Sequence, residues 1–163
     1  MTPYFTLERW KAFQTIAESW LGTPYKHCTM VRGGGADCTL FIGACWKESG
    51  ILEKVEYSYY PRDWYRHAPD ERVLESLHEH FQRHAAPGIQ IERLGPDAEL
   101  MPGDLLTFAV FSPVTNHAAM YWADVERDAG QIMHADPKRG VCIVRHSESF
   151  RARQTNVFRI MEE

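Results

Sequence analysis

Cys38 closes the stretch Gly33-Gly34-Gly35-Ala36-Asp37-Cys38, a glycine-rich loop running into an amphipathic helix. A sulfur at a helix start is faced by outward-pointing amide N–H groups and by the positive end of the macrodipole. That placement predicts a thiol more acidic than the ordinary ~8.5. The glycines admit a substrate backbone close to the sulfur. A nucleophilic cysteine also needs a general base, which comes from elsewhere in the fold. Among the 8 histidines, His117 opens the short apolar run NHAAMYW and His134 ends QIMHAD. If those runs are neighbouring antiparallel strands, the two rings meet. His117 then stands against the sulfur, and His134 behind it fixes the tautomer and orientation of the first ring. Singly, Cys38 reads as a small buried helix residue and each histidine as a packing group. Together they argue for a cysteine hydrolase or acyltransferase.

Other constellations carry less. His80 and His84 form an i, i+4 pair that can hold a metal, with His78 nearby, but no H-E-x-x-H pattern or third ligand accompanies them. A solvated helix face is the better reading, and no metal or organic cofactor is expected. The glycines lack the Lys-Ser/Thr of a phosphate-binding loop. Cys28, Cys45 and Cys142 have no companion base and read as packing residues; His27, His67 and His146 read as structural or surface groups. Lys138, Arg139, Arg145, Arg151 and Arg153 make the C-terminal part locally basic, most simply as a solvated sheet edge. Trp64 and its tyrosine neighbours are candidates for lining a substrate groove.

The elements that must position these residues follow from periodicity. Leu7, Trp10, Phe13, Ile16, Ala17, Trp20 and Leu21 repeat at helical spacing over 5–21, with Gly22 ending the helix. A second helix runs from Cys38 to about Ser49, with Phe41, Ile42, Cys45 and Trp46 on one face. Residues 55–69 read as a long ordered loop. A third helix spans Asp70 to about His84, with Val73, Leu74, Leu77 and Phe81 inward. After Pro87 the pattern changes to short apolar runs between turn signals: Asp104–Val110, His117–Trp122, Gln131–His134, Gly140–Val144 and Thr155–Ile160. Helices first and antiparallel strands second is the order of an α+β domain.

Composition narrows the function classes. A length of 163 residues fits one domain over 1–163. Apolar residues at 44% exclude a disordered chain, and a net charge of −4 excludes a generally basic nucleic-acid binder. No apolar run approaches the ~18 residues of a membrane span. The start MTPYFTLERW lacks the pattern of a secretory signal, so cytoplasmic synthesis with reduced thiols is expected.

Three blocks resemble the NlpC family of papain-like cell-wall cysteine endopeptidases. The first is Leu21-Gly22-Thr23-Pro24-Tyr25 followed by Gly33 to Cys38 and its helix; the second is Pro102-Gly103-Asp104-Leu105-Leu106; the third is Asn116-His117-Ala118-Ala119-Met120-Tyr121, then Met133-His134-Ala135 and Gly140-Val141. They span residues 21–144, and the stretch from Phe150 to Arg159 is similar to the family's last strand. The resemblance implies a papain-like core with N-terminal helices on a central antiparallel sheet. It implies Cys38 as nucleophile, His117 as base, His134 as third polar residue and Tyr25 as a donor to the oxyanion. Asp37, Gly35 and Trp64 are assigned to substrate binding. The implied substrate is a peptidoglycan stem peptide, cut at the D-glutamyl to diamino-acid bond. Two features depart from the pattern, and a third subdivides it. Thr39-Leu40 follows the cysteine where the family commonly has serine and glycine, and Asp124–Gly130 lengthens the hairpin between the histidines. Tyr60-Pro61-Arg62-Asp63-Trp64 with His67 and Glu71 resembles the subgroup found among phage tail and gene-transfer-agent proteins, which implies partners in a phage-like particle. The alternatives are a tail-tip binding or structural module without hydrolysis, and an amidase or acyltransferase on the same fold.

Overall fold

The computed structural model describes residues 1–67, 70–123 and 130–163. The hairpin insertion expected at 124–130 and the last two residues of the 55–69 loop therefore lie, apart from Gly130, outside the described residues. Helix α1 (Leu7–Glu18) starts at Thr6, whose hydroxyl accepts from Arg9 N, and buries Trp10, Phe13 and Ala17. Its ends differ from the periodic reading, because Leu7 and Leu21 are exposed. Helix α2 (Leu40–Glu48) buries Phe41, Ile42, Cys45 and Trp46 as their spacing predicts. Within the aromatic loop one short turn, α3 (Trp64–His67), forms before α4 (Arg72–His84).

The reading of α4 needs one correction. His84 is buried rather than solvated, with Nε2 3.3 Å from Glu56 Oε2, and His78 and His80 are half-buried. The cause is the backbone bridge between Leu52 and Ala85, which draws the end of α4 onto the core. Among the described residues, no group of three or more histidine, cysteine or acidic side chains is set to hold a metal.

Among the described residues the sheet has seven strands, all paired antiparallel. In chain order they are β1 (Thr2–Pro3), β4 (Ile89–Leu94), β5 (Leu105–Phe108), β6 (His117–Tyr121), β7 (Gln131–Asp136), β8 (Gly140–Arg145) and β9 (Gln154–Glu162), while β2 (Met30–Val31) and β3 (Gly35–Ala36) form a separate hairpin. The spatial order is β1-β9-β5-β6-β7-β8, with β4 also on β9. Val157 pairs with both Leu94 and Leu106, so β4 and β5 flank opposite edges of β9. A one-turn helix, α5 (Glu148–Arg151), leads into β9. β4 was not expected; its IQIERL buries no residue fully, because it lies at the edge.

Alternation along the strands makes two apolar layers. Leu105, Ala118, Met120, Met133 and Phe158 face α1 and α2 and join Trp10, Phe13, Phe41 and Trp46 in the main core. Leu106, Phe108, Ala119, Ile132 and Val157 form a second cluster on the other face, with Phe150 against it. The β7–β8 turn is seated on the N-terminal half by Gly140 (φ +76°). There, a Cβ would lie 2.3 Å from Thr23 O, and Val141 N donates to Thr23 O at 2.9 Å. The same turn thus locks β7, the strand of His134, to the segment that carries Tyr25. No helix among the described residues is long and apolar enough to cross a membrane.

Candidate active site

Presentation of Cys38 starts with the β2–β3 hairpin, whose reversal uses Gly33 at φ +73°. Tyr25 is bridged to Ala36: Lys26 N donates to Ala36 O and Ala36 N to Pro24 O, each at 3.0 Å. Four residues after Ala36 the chain enters α2. Thr39 makes no side-chain cap bond. Instead Asp37 Oδ1 accepts from Leu40 N at 2.9 Å and Thr39 N at 3.2 Å, the arrangement of a helix cap. Its Oδ2 accepts from Cys28 N at 3.0 Å and from the Tyr60 hydroxyl. Asp37 is 1% exposed, and both its oxygens are occupied from within the protein. Its side chain organises the helix start from the wall of the cavity onto which Cys38 opens.

The histidines meet as the strand pairing predicts. Residues β6 and β7 pair at Met120↔Met133, and His117 Nε2 lies 2.8 Å from His134 Nδ1 with the rings at 81°. Of the two tautomers this bond admits, the one in which His117 donates leaves a lone pair on its Nδ1. Asp136, two residues beyond His134, places negative charge near both rings. Its Oδ1 also accepts from Lys138 N and Arg139 N at 2.8 Å each.

The thiol and the histidine pair are joined through the backbone of β6. Ala118 N–H is directed at the Cys38 sulfur, as are the N–H groups of Cys38 and Thr39. Ala118 immediately follows His117. Among the described residues no hydrogen bond joins Cys38 to His117. Catalytic contacts in ligand-free sites are often long and close only with substrate bound.

Burial reverses the expected acidity of the resting thiol. Cys38 is 8% exposed. Loss of solvent, aided by the neighbouring Asp37 charge, pushes its pKa up to about 12 against the three amide N–H groups. His117 is pushed down to about 3, first by burial and then by His134, while His134 is lowered mainly by burial. At neutral pH both partners are therefore uncharged at rest. The amides that face the sulfur stabilise the thiolate as it forms without populating it beforehand.

Cys38 opens onto a cavity of about 640 Å³ between α2, α4 and the aromatic segment 55–65. Tyr25, Trp64, Leu40 and Asn116 also line it. Tyr25 lies near enough to feel the charge of Cys38 and Asp37, and burial raises its pKa, so its hydroxyl stays protonated and able to donate. Gly35 is not on the cavity wall: a Cβ there would meet the Lys26 side chain at 2.4 Å, so the glycine serves local packing. Sequence reasoning missed Tyr60 as a site residue, although YSYYPRDWY was visible as an aromatic cluster. It also passed over His27, whose Nε2 is 2.5 Å from Tyr60 O, and Asn116, whose amide holds Val110 N and O at 2.8 and 3.0 Å just before His117.

No family model and no curated protein sequence matches this chain. Solved structures do. The NlpC/p60 domain of the peptidoglycan hydrolase SagA is 17% identical, with 91% of this chain and 96% of that one covered at a TM-score of 0.54. A Staphylococcus aureus subsp. aureus Mu50 protein described as similar to lipoprotein, NLP/P60 family, is 17% identical over all of this chain but only 45% of its own, with a TM-score of 0.61. Ly7917, solved with the hydrolyzing product of MDP, is 13% identical over 95% of this chain and 62% of its own at 0.50. The chain has the α+β, papain-like fold of these structures, with helices of the N-terminal half packed on an antiparallel sheet.

Proposed function

We propose that the protein is a cysteine peptidase acting on bacterial peptidoglycan stem peptides. The observation that carries this reading is the meeting of two prepared parts. A capped helix start holds Cys38 in a cavity under three amide N–H groups, and a histidine pair bonded at 2.8 Å is borne by the strand that supplies one of those amides. The fold similarity to a peptidoglycan hydrolase domain supports the substrate class.

In this reading Cys38 gives its proton to His117 Nδ1 as the sulfur attacks an amide carbonyl carbon. The C=O pair moves to oxygen, and the oxyanion is met by Cys38 N–H and the Tyr25 hydroxyl. His117, held by His134, returns the proton to the leaving amine as the C–N bond breaks. Water, deprotonated by His117, then attacks the thioester; the C–S bond breaks, the acid leaves, and His117 returns the proton to the Cys38 sulfur. Because the resting pair is neutral, charge separates only as the carbonyl is attacked. The D-glutamyl to diamino-acid bond is the expected target.

A second reading keeps the fold and drops hydrolysis: a binding or structural module, for instance within a phage-like particle. The raised Cys38 thiol favours it. Incubation with purified muropeptides followed by mass spectrometry separates the two. Cleaved stems, lost in Cys38→Ala, support the peptidase; transfer products indicate an acyltransferase instead. Cleavage that survives Cys38→Ala, or its absence from every stem type, overturns the proposal.

A further inference from the structure

Tyr60 ties the aromatic segment to the residues around the thiol. Its hydroxyl donates to Asp37 Oδ2, and its carbonyl meets His27 Nε2 while its ring packs edge-on against His27 at 4.6 Å between centroids. Cys28 Sγ also lies 3.9 Å from Ser58 O, and Glu56 Oε2 lies 3.3 Å from His84 Nε2. The adjacent Tyr59 is 79% exposed. A buried carboxylate next to a nucleophile must be held by donors, or its charge falls on its neighbours. Among the described residues, those donors on Oδ2 are Cys28 N–H and the Tyr60 hydroxyl.

We propose that Tyr60 is a positioning residue of the Cys38 site, acting through Asp37: it fixes the carboxylate that caps α2 and draws that carboxylate's charge away from the sulfur. The inference rests on Cys38 being the working thiol. The groups around that sulfur are Asp37 on its own segment, Tyr25 at the bridge to Ala36 and Tyr60 from the segment above, while Arg62 acts on Tyr25. Asp37 is the only carboxylate among them, and its charge already opposes ionisation of the thiol. Removing the hydroxyl leaves Oδ2 with one donor and increases that opposition. Tyr60 thus makes the thiol easier to ionise without touching the reacting atoms.

The test is the rate of Cys38 alkylation by iodoacetamide at pH 7, read on the Cys38 peptide by mass spectrometry, in the full chain. Tyr60→Phe keeps the ring and deletes only the donor. The rate is expected to fall roughly three- to tenfold, as for a thiol that is harder to ionise. Tyr59→Phe leaves it unchanged. In an Asp37→Asn background, Tyr60→Phe is expected to slow alkylation no further, since the charge it screens is gone. A folded Tyr60→Phe with the wild-type rate overturns the proposal. So does a fall of equal size in the Asp37→Asn background. The readout uses no cell-wall substrate, so failure to cleave muropeptides would overturn the peptidase reading while leaving this result standing, and the reverse also holds.

Discussion

Asp37→Ala removes the carboxylate on which the helix start, Cys28 and Tyr60 converge. The lost bonds are those from Leu40 N (2.9 Å), Cys28 N (3.0 Å), Thr39 N (3.2 Å) and the Tyr60 hydroxyl. A lost helix cap costs about 1 kcal/mol, and a hydrogen bond to a charged acceptor contributes about 1.5–3 kcal/mol. Rehydration from the cavity recovers part of this, so the net loss is about 3 kcal/mol. For a chain of this size that lowers Tm by about 6–12 °C. The same change removes the negative charge beside Cys38, so alkylation of Cys38 at neutral pH speeds up although the protein is weaker. Calorimetry and alkylation rates measure the two effects on one sample. A Tm loss under about 3 °C, or an alkylation rate that stays or falls in the folded variant, refutes Asp37 as both cap and charge source.

Three further outcomes follow from the same geometry. His117 sits at about 3 in the folded protein, below its ordinary ~6.5, so it favours the fold above 6.5 and this contribution is lost as pH falls toward 3. Melts between pH 7 and 4 should therefore show a steeper decline for wild type than for His117→Gln; parallel declines contradict the assignment. Tyr25→Phe is expected to lower kcat on muropeptides on the order of a hundredfold with KM little changed, as for a lost oxyanion donor; an effect on KM alone removes Tyr25 from that role. Asp104 is buried and accepts from Arg159 Nε (2.9 Å), Arg159 Nη2 (2.7 Å) and Met101 N (2.7 Å), so Asp104→Ala should cost about 3–5 kcal/mol in urea unfolding. A loss under about 1 kcal/mol would place that pair in the class of surface ion pairs.

The features legible in the sequence are those with local signatures. Trp10, Phe13 and Ala17 on α1 and Phe41, Ile42, Cys45 and Trp46 on α2 are fixed by a 3.6-residue period, and strands such as Gly140–Arg145 by short apolar runs between turns. The His117–His134 bond was legible because period-two alternation and antiparallel pairing leave few ways to arrange two short strands. What was not legible depends on long-range burial. A helix start alone argues for an acidic thiol, but the sign at Cys38 is decided by how completely the aromatic segment and Asp37 enclose it. His84 reads as solvent-facing until Leu52 pairs with Ala85. β4 escaped notice because IQIERL is an edge strand with no fully buried residue. Tyr60 escaped because nothing in YSYYPRDWY says which tyrosine turns inward.

If His117 serves the Cys38 sulfur as its base, removing the ring must slow the thiol. The measurement is the rate of Cys38 alkylation at neutral pH in wild type and in His117→Ala, each normalised to the same peptide in the unfolded chain. The wild-type rate is expected to fall at least tenfold in the variant, since a positioned base contributes about 10²–10⁴ to proton transfer. Equal rates in the two folded proteins would contradict it.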